Sequence, residues 1–143
     1  MKTFLKRLTF LGLAFAFGVI LWCALAPSPD LVNIHWMPKW LGKWADAHPT
    51  FRNFPAFGLL SVLLVFVGNL CRGAREVRGL IATALLAAAA VSVAGVVLEC
   101  LQLALPGRFF EPMDIFWSVL GAGAGSVAAL ACLVSMRFFH RNG

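Results

Sequence analysis

The sequence predicts an all-α membrane protein with four transmembrane helices and a periplasmic interfacial helix between the first and the second. Of its 143 residues, 61% are hydrophobic and only 13% are charged, and the mean hydropathy is +0.86. A soluble domain is about half apolar and about a quarter charged. The apolar excess therefore argues against a soluble enzyme and against a disordered chain. The length allows a single domain, residues 1–143.

Four apolar runs are long enough to cross a membrane, which takes about 20 mostly apolar residues. They cover residues 8–26, 54–70, 80–105 and 115–136, and none has Lys or Arg in its middle. The first run resembles a signal peptide, because Ala24-Leu25-Ala26 has the small residues of a cleavage site. It is longer than a signal core of about 7 to 15 residues, and Pro27 follows the candidate cut. We therefore predict that it is a retained transmembrane helix.

The basic residues orient these spans. One set of span ends and connections carries eight of them: Lys2, Lys6, Arg7, Arg72, Arg75, Arg78, Arg137 and Arg141. The opposite side carries four: Lys39, Lys43, Arg52 and Arg108. The positive-inside rule then predicts that both termini and the loop 71–79 are cytoplasmic. Since the basic residues cluster between apolar runs, the net charge of +6 reports topology and does not indicate nucleic-acid binding.

The long outer connection, residues 27–53, contains an amphipathic candidate. Trp36, Trp40 and Trp44 recur every four residues, which predicts one helical face, and Pro38 fits a first turn. Such a helix would rest in the headgroup layer with its Trp side chains at the polar–apolar boundary. Two interpretations remain open. The segment is either an aromatic anchor without a ligand or a lid over an outward-facing site.

Polar residues near the outer end of the third span carry the functional signal. Glu99 lies 20 residues after Gly79, or about 30 Å along a helix, and Gln102 shares its face. Arg108 follows a Pro-Gly turn, and Asp114 opens the fourth span, where a helix start favours an acid. These four side chains can converge at one outer corner. They form either a structural staple between two spans or a polar pocket in which Arg108 binds an anion.

Other residues that could take part in binding or catalysis give weaker predictions. The four cysteines lack metal-binding or disulfide spacing and are expected to be packed hydrophobes. His35 and His48 could approach Glu111 or Asp114, but His and acidic residues in such a loop are more often solvated than metal ligands. No metal and no cofactor is predicted. The Gly121-xxx-Gly125 spacing favours close helix packing, either within the chain or in a homo-oligomer.

The residues from the third span onward resemble the signature of the VanZ-like family. That signature has Glu-x-x-Gln, then Pro-x-Arg, then Asp, then Asn and two spaced Gly. The matching positions here are Glu99, Gln102, Pro106, Arg108, Asp114, Gly121 and Gly125. Asn53, Pro55 and Gly58 also resemble the start of the family's second span. Ser118 differs, because the family commonly has Asn four residues after the Asp. The resemblance covers roughly residues 53–125.

The resemblance implies a small bacterial inner-membrane protein of the cell envelope. The family's name-giving member is associated with resistance to the glycopeptide teicoplanin, and most members have no established biochemical activity. The predicted site residues are Glu99, Gln102, Arg108, Asp114 and Ser118. The favoured hypothesis is a non-enzymatic protein that binds an anionic lipid, a lipid-linked envelope precursor or a partner protein there. The alternatives are a small membrane enzyme acting on a lipid-linked substrate, with Glu99 or Asp114 as base or metal ligand, and a scaffold subunit.

Overall fold

The computed structural model describes residues 2–25, 30–72, 76–105 and 110–142, and within them all regular structure is helical. The all-α prediction is therefore confirmed. The five α-helices are α1 (Lys2–Leu25), α2 (Lys39–Ala47), α3 (Asn53–Arg72), α4 (Val77–Gln102) and α5 (Pro112–Asn142). A 3-10 turn, Leu31–Asn33, precedes α2. Pro112 suits the first position of α5, because its missing N–H would have no partner there.

Four of these helices, α1, α3, α4 and α5, are long and apolar enough to cross a membrane. This confirms the four predicted spans. Only helices and closed barrels can satisfy their backbone hydrogen bonds in lipid, so long apolar runs of this kind become helices. α5 has 31 residues and is therefore about 46 Å long, more than the hydrocarbon thickness of about 30 Å.

The four long helices form a bundle in which α5 packs along both α3 and α4. α1 lies at the periphery against α3 and α4, and none of its residues in the window Arg7–Ala24 is buried. The core has two clusters. One contains Val65, Leu80, Ala84, Ala87, Ala129 and Leu133. The other contains Phe57, Leu60, Val91, Leu98 and Ala122, with α1 packed against it.

Glycines allow α3 and α5 to approach each other closely. A Cβ on Gly121 would collide with the backbone of Phe54, and a Cβ on Gly125 would collide with the backbone of Gly58. Next to Gly125, the hydroxyl of Ser126 in α5 shares a buried hydrogen bond of 2.6 Å with the hydroxyl of Ser61 in α3. The Gly121-xxx-Gly125 spacing therefore allows α5 to pack against α3 within the chain, which is one of its two interpretations from the sequence.

The segment between α1 and α3 folds into a small unit, residues 30–51, called the cap below. The Asp46 carboxylate accepts hydrogen bonds from the backbone N–H groups of Leu31 at 2.7 Å and Val32 at 2.9 Å, which ties α2 to the 3-10 turn. Gly42 is buried where a Cβ would touch the backbone of Val32. α2 begins after Pro38, so Trp36 lies in a turn before the helix and not on its face.

Candidate functional site

The helix ends nearest the cap enclose a cavity of about 450 Å³. Because successive spans alternate in direction, the end of α1, the start of α3, the end of α4 and the start of α5 meet at this end of the bundle. The cap contributes Leu31, Met37, Leu41, Trp44 and Ala45 to the wall. We call this space the capped cavity. Its volume falls within the range of about 300 to 1,000 Å³ that is usual for small-molecule sites.

The lining of the capped cavity is divided by polarity. Six polar residues come from helix ends or the residue just before a helix: Arg52, Asn53, Glu99, Gln102, Asp114 and Ser118. The part farther from the cap is apolar and includes Phe15, Ala16, Val19, Ile20, Phe57 and Leu59, of which Phe15 and Leu59 are exposed. The lining residues of α1 run from Phe15 to Ala24, a distance of about 13 Å along its axis. The cavity is therefore amphipathic, with one polar end.

Glu99 is the most buried acid of this site, at 4% exposure. Its Oε1 accepts a hydrogen bond of 2.7 Å from the backbone N–H of Glu111. This bond joins the end of α4 to the segment that leads into α5, and it gives the buried carboxylate one of the partners that it needs. This contact between the end of α4 and the residue before α5 has a backbone donor and is not an ion pair.

Gln102 connects α4 to α1. Its Nε2 donates a hydrogen bond of 3.1 Å to the backbone carbonyl of Ala24. The last carbonyls of a helix have no partner within the helix, so this side chain satisfies one of them and positions the end of α1. The polar end of the cavity is thus also hydrogen-bonded to the peripheral helix α1.

Asp114 and Ser118 form the α5 side of the polar end. Ser118 is 3% exposed, and its hydroxyl donates a hydrogen bond of 2.7 Å to the Asp114 backbone carbonyl, a local bond common for Ser in helices. The side chains of Asn53 and Arg52 both interact with the Asp114 carboxyl group. Its Oδ1 is buried, yet no donor among the described residues reaches it. A buried oxygen in this state calls for an explanation.

Arg52 links the cavity to the cap. Its Nη1 lies 3.9 Å from Asp46 Oδ1, the carboxylate that also holds the 3-10 turn. Aromatic rings add a second connection, because Phe51 stacks on Phe54 at 5.6 Å and meets Trp117 edge-on at 5.0 Å. Trp44 contacts Phe51 from the cap side at 6.3 Å. The cap is therefore attached to the starts of both α3 and α5.

Four of the five predicted site residues, Glu99, Gln102, Asp114 and Ser118, line this one cavity. The fifth, Arg108, lies outside the described residues, as does the Pro-Gly turn before it. Arg52 and Asn53 also line the cavity, although neither was among the predicted site residues. A signal for them was available, because they directly precede the second apolar run and so lie at the same end of an antiparallel bundle as Glu99.

One histidine of the cap, His48, makes its contacts locally. The Nδ1 of His48 lies 2.9 Å from the backbone carbonyl of Trp44, to which it can donate a hydrogen bond, and the two rings stack with their centroids 5.4 Å apart. Within the described ranges, no group of three or more His, Cys, Asp or Glu side chains is arranged to hold a metal ion. The polar groups that line the site are carboxylates, amides, a hydroxyl and a guanidinium.

These observations define a small, multi-pass, helical membrane protein with an amphipathic cavity under a cap. The family model described as VanZ/LLP1 matches residues 7–135, which is most of the chain. The chain belongs to this family, and the resemblance seen in its motifs is confirmed. No curated protein and no solved structure matches the chain.

Proposed function

We propose that this protein binds an anionic lipid or a lipid-linked envelope precursor in the capped cavity, at the outer face of the bacterial inner membrane. The division of the cavity into a polar end and an apolar part carries the proposal. Ligand sites combine a mostly apolar lining with a few convergent polar groups, and this cavity lies among helices suited to a membrane. A lipid has the matching division, with a polar headgroup and a hydrocarbon chain.

Arg52 is the proposed contact for the anionic part of the headgroup. A guanidinium pairs with phosphate oxygens through two parallel hydrogen bonds, which favours it over other side chains for this task. Arg108 is proposed from the sequence to act with it. Arg52 also lies beside the Asp46 carboxylate of the cap, so a bound phosphate would share this guanidinium with Asp46.

The hydrocarbon chain is proposed to lie along the apolar part of the cavity, between α1 and α3. Phe15 and Val19 of α1 and Leu59 of α3 all belong to this part of the lining. α1 is peripheral, and a lipid chain is as apolar as the side chains that it would replace, so exchange with the surrounding membrane has a small cost. We propose lateral entry of the ligand from the outer leaflet, with both termini of the protein in the cytoplasm.

Cys23 gives a direct test, because its side chain lines the capped cavity. The other three cysteines, Cys71, Cys100 and Cys132, are exposed and can be replaced by Ala. The resulting single-Cys23 protein is labelled in a maltoside detergent with a small neutral thiol reagent, and phosphatidylglycerol is titrated in. We expect saturable protection of Cys23. An unchanged labelling rate at every lipid concentration would contradict the proposal.

Arg52→Gln and Arg72→Gln form a matched pair for this experiment. Arg72 is exposed and ends α3 at the opposite end of the bundle, so its loss should leave protection unchanged. Arg52→Gln should raise the lipid concentration for half-protection at least about tenfold, because charged hydrogen bonds contribute about 1.5 to 3 kcal/mol. The labelling rate without lipid checks that the cavity is intact. Equal effects of the two variants would remove Arg52 from the site.

The proposed link to glycopeptide resistance has its own test. If the ligand in the cell is a lipid-linked envelope precursor, expression of the protein in a susceptible bacterium should change the teicoplanin concentration that stops growth. Arg52→Gln should abolish that change while the protein is still made at the same level. Mass spectrometry of lipids that co-purify with the protein would then identify the ligand.

A further inference from the structure

The polar end of the capped cavity contains two acidic side chains, which the binding of an anion does not require. Glu99 and Asp114 both line it, and they are close enough for their carboxylates to interact unfavourably. Among the lining residues that the structure describes, Arg52 is the only one with a cationic side chain. A carboxylate beside a phosphate repels it, because both are anionic, unless a donor on the ligand lies next to the carboxylate. The two carboxylates therefore indicate a second recognition task.

The hydrogen bonds around these carboxylates are unequal. Glu99 Oε1 has the Glu111 backbone N–H at 2.7 Å. Asp114 Oδ1 is buried but accepts no hydrogen bond from any described residue. Because a carboxylate oxygen can only accept, burial without a donor costs free energy. Asp114 lines the cavity, so a small rotation of its side chain would bring Oδ1 to a donor on whatever occupies the cavity.

We propose that the ligand headgroup carries a hydrogen-bond donor, an ammonium or a hydroxyl group, next to its phosphate. This inference rests on the proposed lipid binding and names the lipid class. The phosphate meets Arg52, and the donor meets Asp114 Oδ1. Arg52 interacts with Asp114, so the anion contact and the donor contact are adjacent, as the phosphate and the terminal group are in an ethanolamine or glycerol phosphodiester.

The proposal predicts discrimination between lipids of the same headgroup charge that differ in the presence of this donor. A site built to hydrogen-bond a ligand N–H or O–H rejects the analogue that lacks it, because the buried acceptor then stays unpaired. Methylation of ethanolamine to choline keeps the charge and removes every N–H. Replacement of glycerol by methanol keeps the negative phosphodiester and removes both hydroxyls. These two pairs separate an ammonium donor from a hydroxyl donor.

The single-Cys23 protein tests this with four phospholipids of identical chains. Half-protection of Cys23 is measured for phosphatidylethanolamine against phosphatidylcholine, and for phosphatidylglycerol against phosphatidylmethanol. We expect at least a tenfold preference for the donor-bearing member of one or both pairs, and the pair that shows it identifies the donor. Equal protection within both pairs overturns the inference but leaves lipid binding intact. A failure of all four lipids to protect Cys23 overturns the proposed function itself.

A variant pair assigns the discrimination to Asp114. Asp114→Leu removes the acceptor and should reduce the preference to less than about twofold, while Glu111→Gln removes an exposed acid nearby and should leave the preference unchanged. Circular dichroism checks that both variants are helical. If Asp114→Leu does not fold, the lipid pairs still decide the proposal, because they use the Asp114-containing protein. A full preference in folded Asp114→Leu would overturn the assignment of the donor contact.

Discussion

The α3–α5 contact offers a sharp test, because glycines two residues apart in α5 have opposite surroundings. Gly125 packs so that a Cβ would meet Gly58 backbone atoms, with the Gly58 Cα only 2.9 Å away. Backbone cannot rotate aside as a side chain can. Gly123 has nothing within 4 Å of its Cβ position. Gly125→Ala should therefore separate the helices, whereas Gly123→Ala should only add a methyl group to an open surface.

The expected free energies differ in sign. Overpacking costs about 1 to 3 kcal/mol, and Ala in place of Gly in a helix returns about 1 kcal/mol. Separation of α3 and α5 would also weaken the hydrogen bond between Ser61 and Ser126, which lies beside Gly125 and is worth about 0.6 kcal/mol on average for membrane proteins. Gly125→Ala should thus lose about 0.5 to 2.5 kcal/mol, while Gly123→Ala gains up to about 1 kcal/mol from helix propensity.

Equilibrium unfolding in mixtures of SDS and a maltoside detergent, followed by circular dichroism, measures both variants against the parent protein. Gly121→Ala provides a repeat, because its Cβ would meet the backbone of Phe54. Equal unfolding midpoints for Gly125→Ala and Gly123→Ala would refute the close approach of α3 and α5. Loss of stability in Gly123→Ala alone would show that α3 contacts the face of α5 that carries Gly123 and not the face that carries Gly125.

Three further predictions concern the buried hydrogen bond and the topology. Ser61→Ala should destabilise the protein by about 0.6 to 1.7 kcal/mol, and the double variant with Ser126→Ala should cost less than the sum of the single losses, as measured by the same unfolding assay. In a chain without native cysteines, a membrane-impermeant thiol reagent added outside cells should label a Cys at Asp30 but not at Glu76; the reverse pattern would invert the orientation. With Trp22 and Trp117 replaced by Phe, fluorescence of the 36–44 segment should be quenched more by shallow than by deep brominated lipids, and quenching by aqueous iodide alone would indicate a solvated loop.

The helices and their number could be predicted from the sequence, because the reason for them is local. Each long apolar run must satisfy its backbone hydrogen bonds within itself in a membrane, so it becomes a helix wherever it packs. Alternation of four spans then brings the end of α4 and the start of α5 together. For that reason Glu99, Gln102 and Asp114 could be assigned to one site without coordinates.

The capped cavity depended on the tertiary structure, because its wall comes from segments far apart in the chain. Gln102 reaches Ala24 across 78 residues, and the position of α1 that this fixes is not encoded in either segment alone. The partner of Glu99 is a backbone N–H, which no pattern of side chains indicates. Arg52 and Asn53 lie at the same end of the bundle for a reason that the sequence contains, but the structure was needed to show that they line the same cavity. Local composition determined which residues are helical, whereas packing among distant segments decided which polar groups share one cavity.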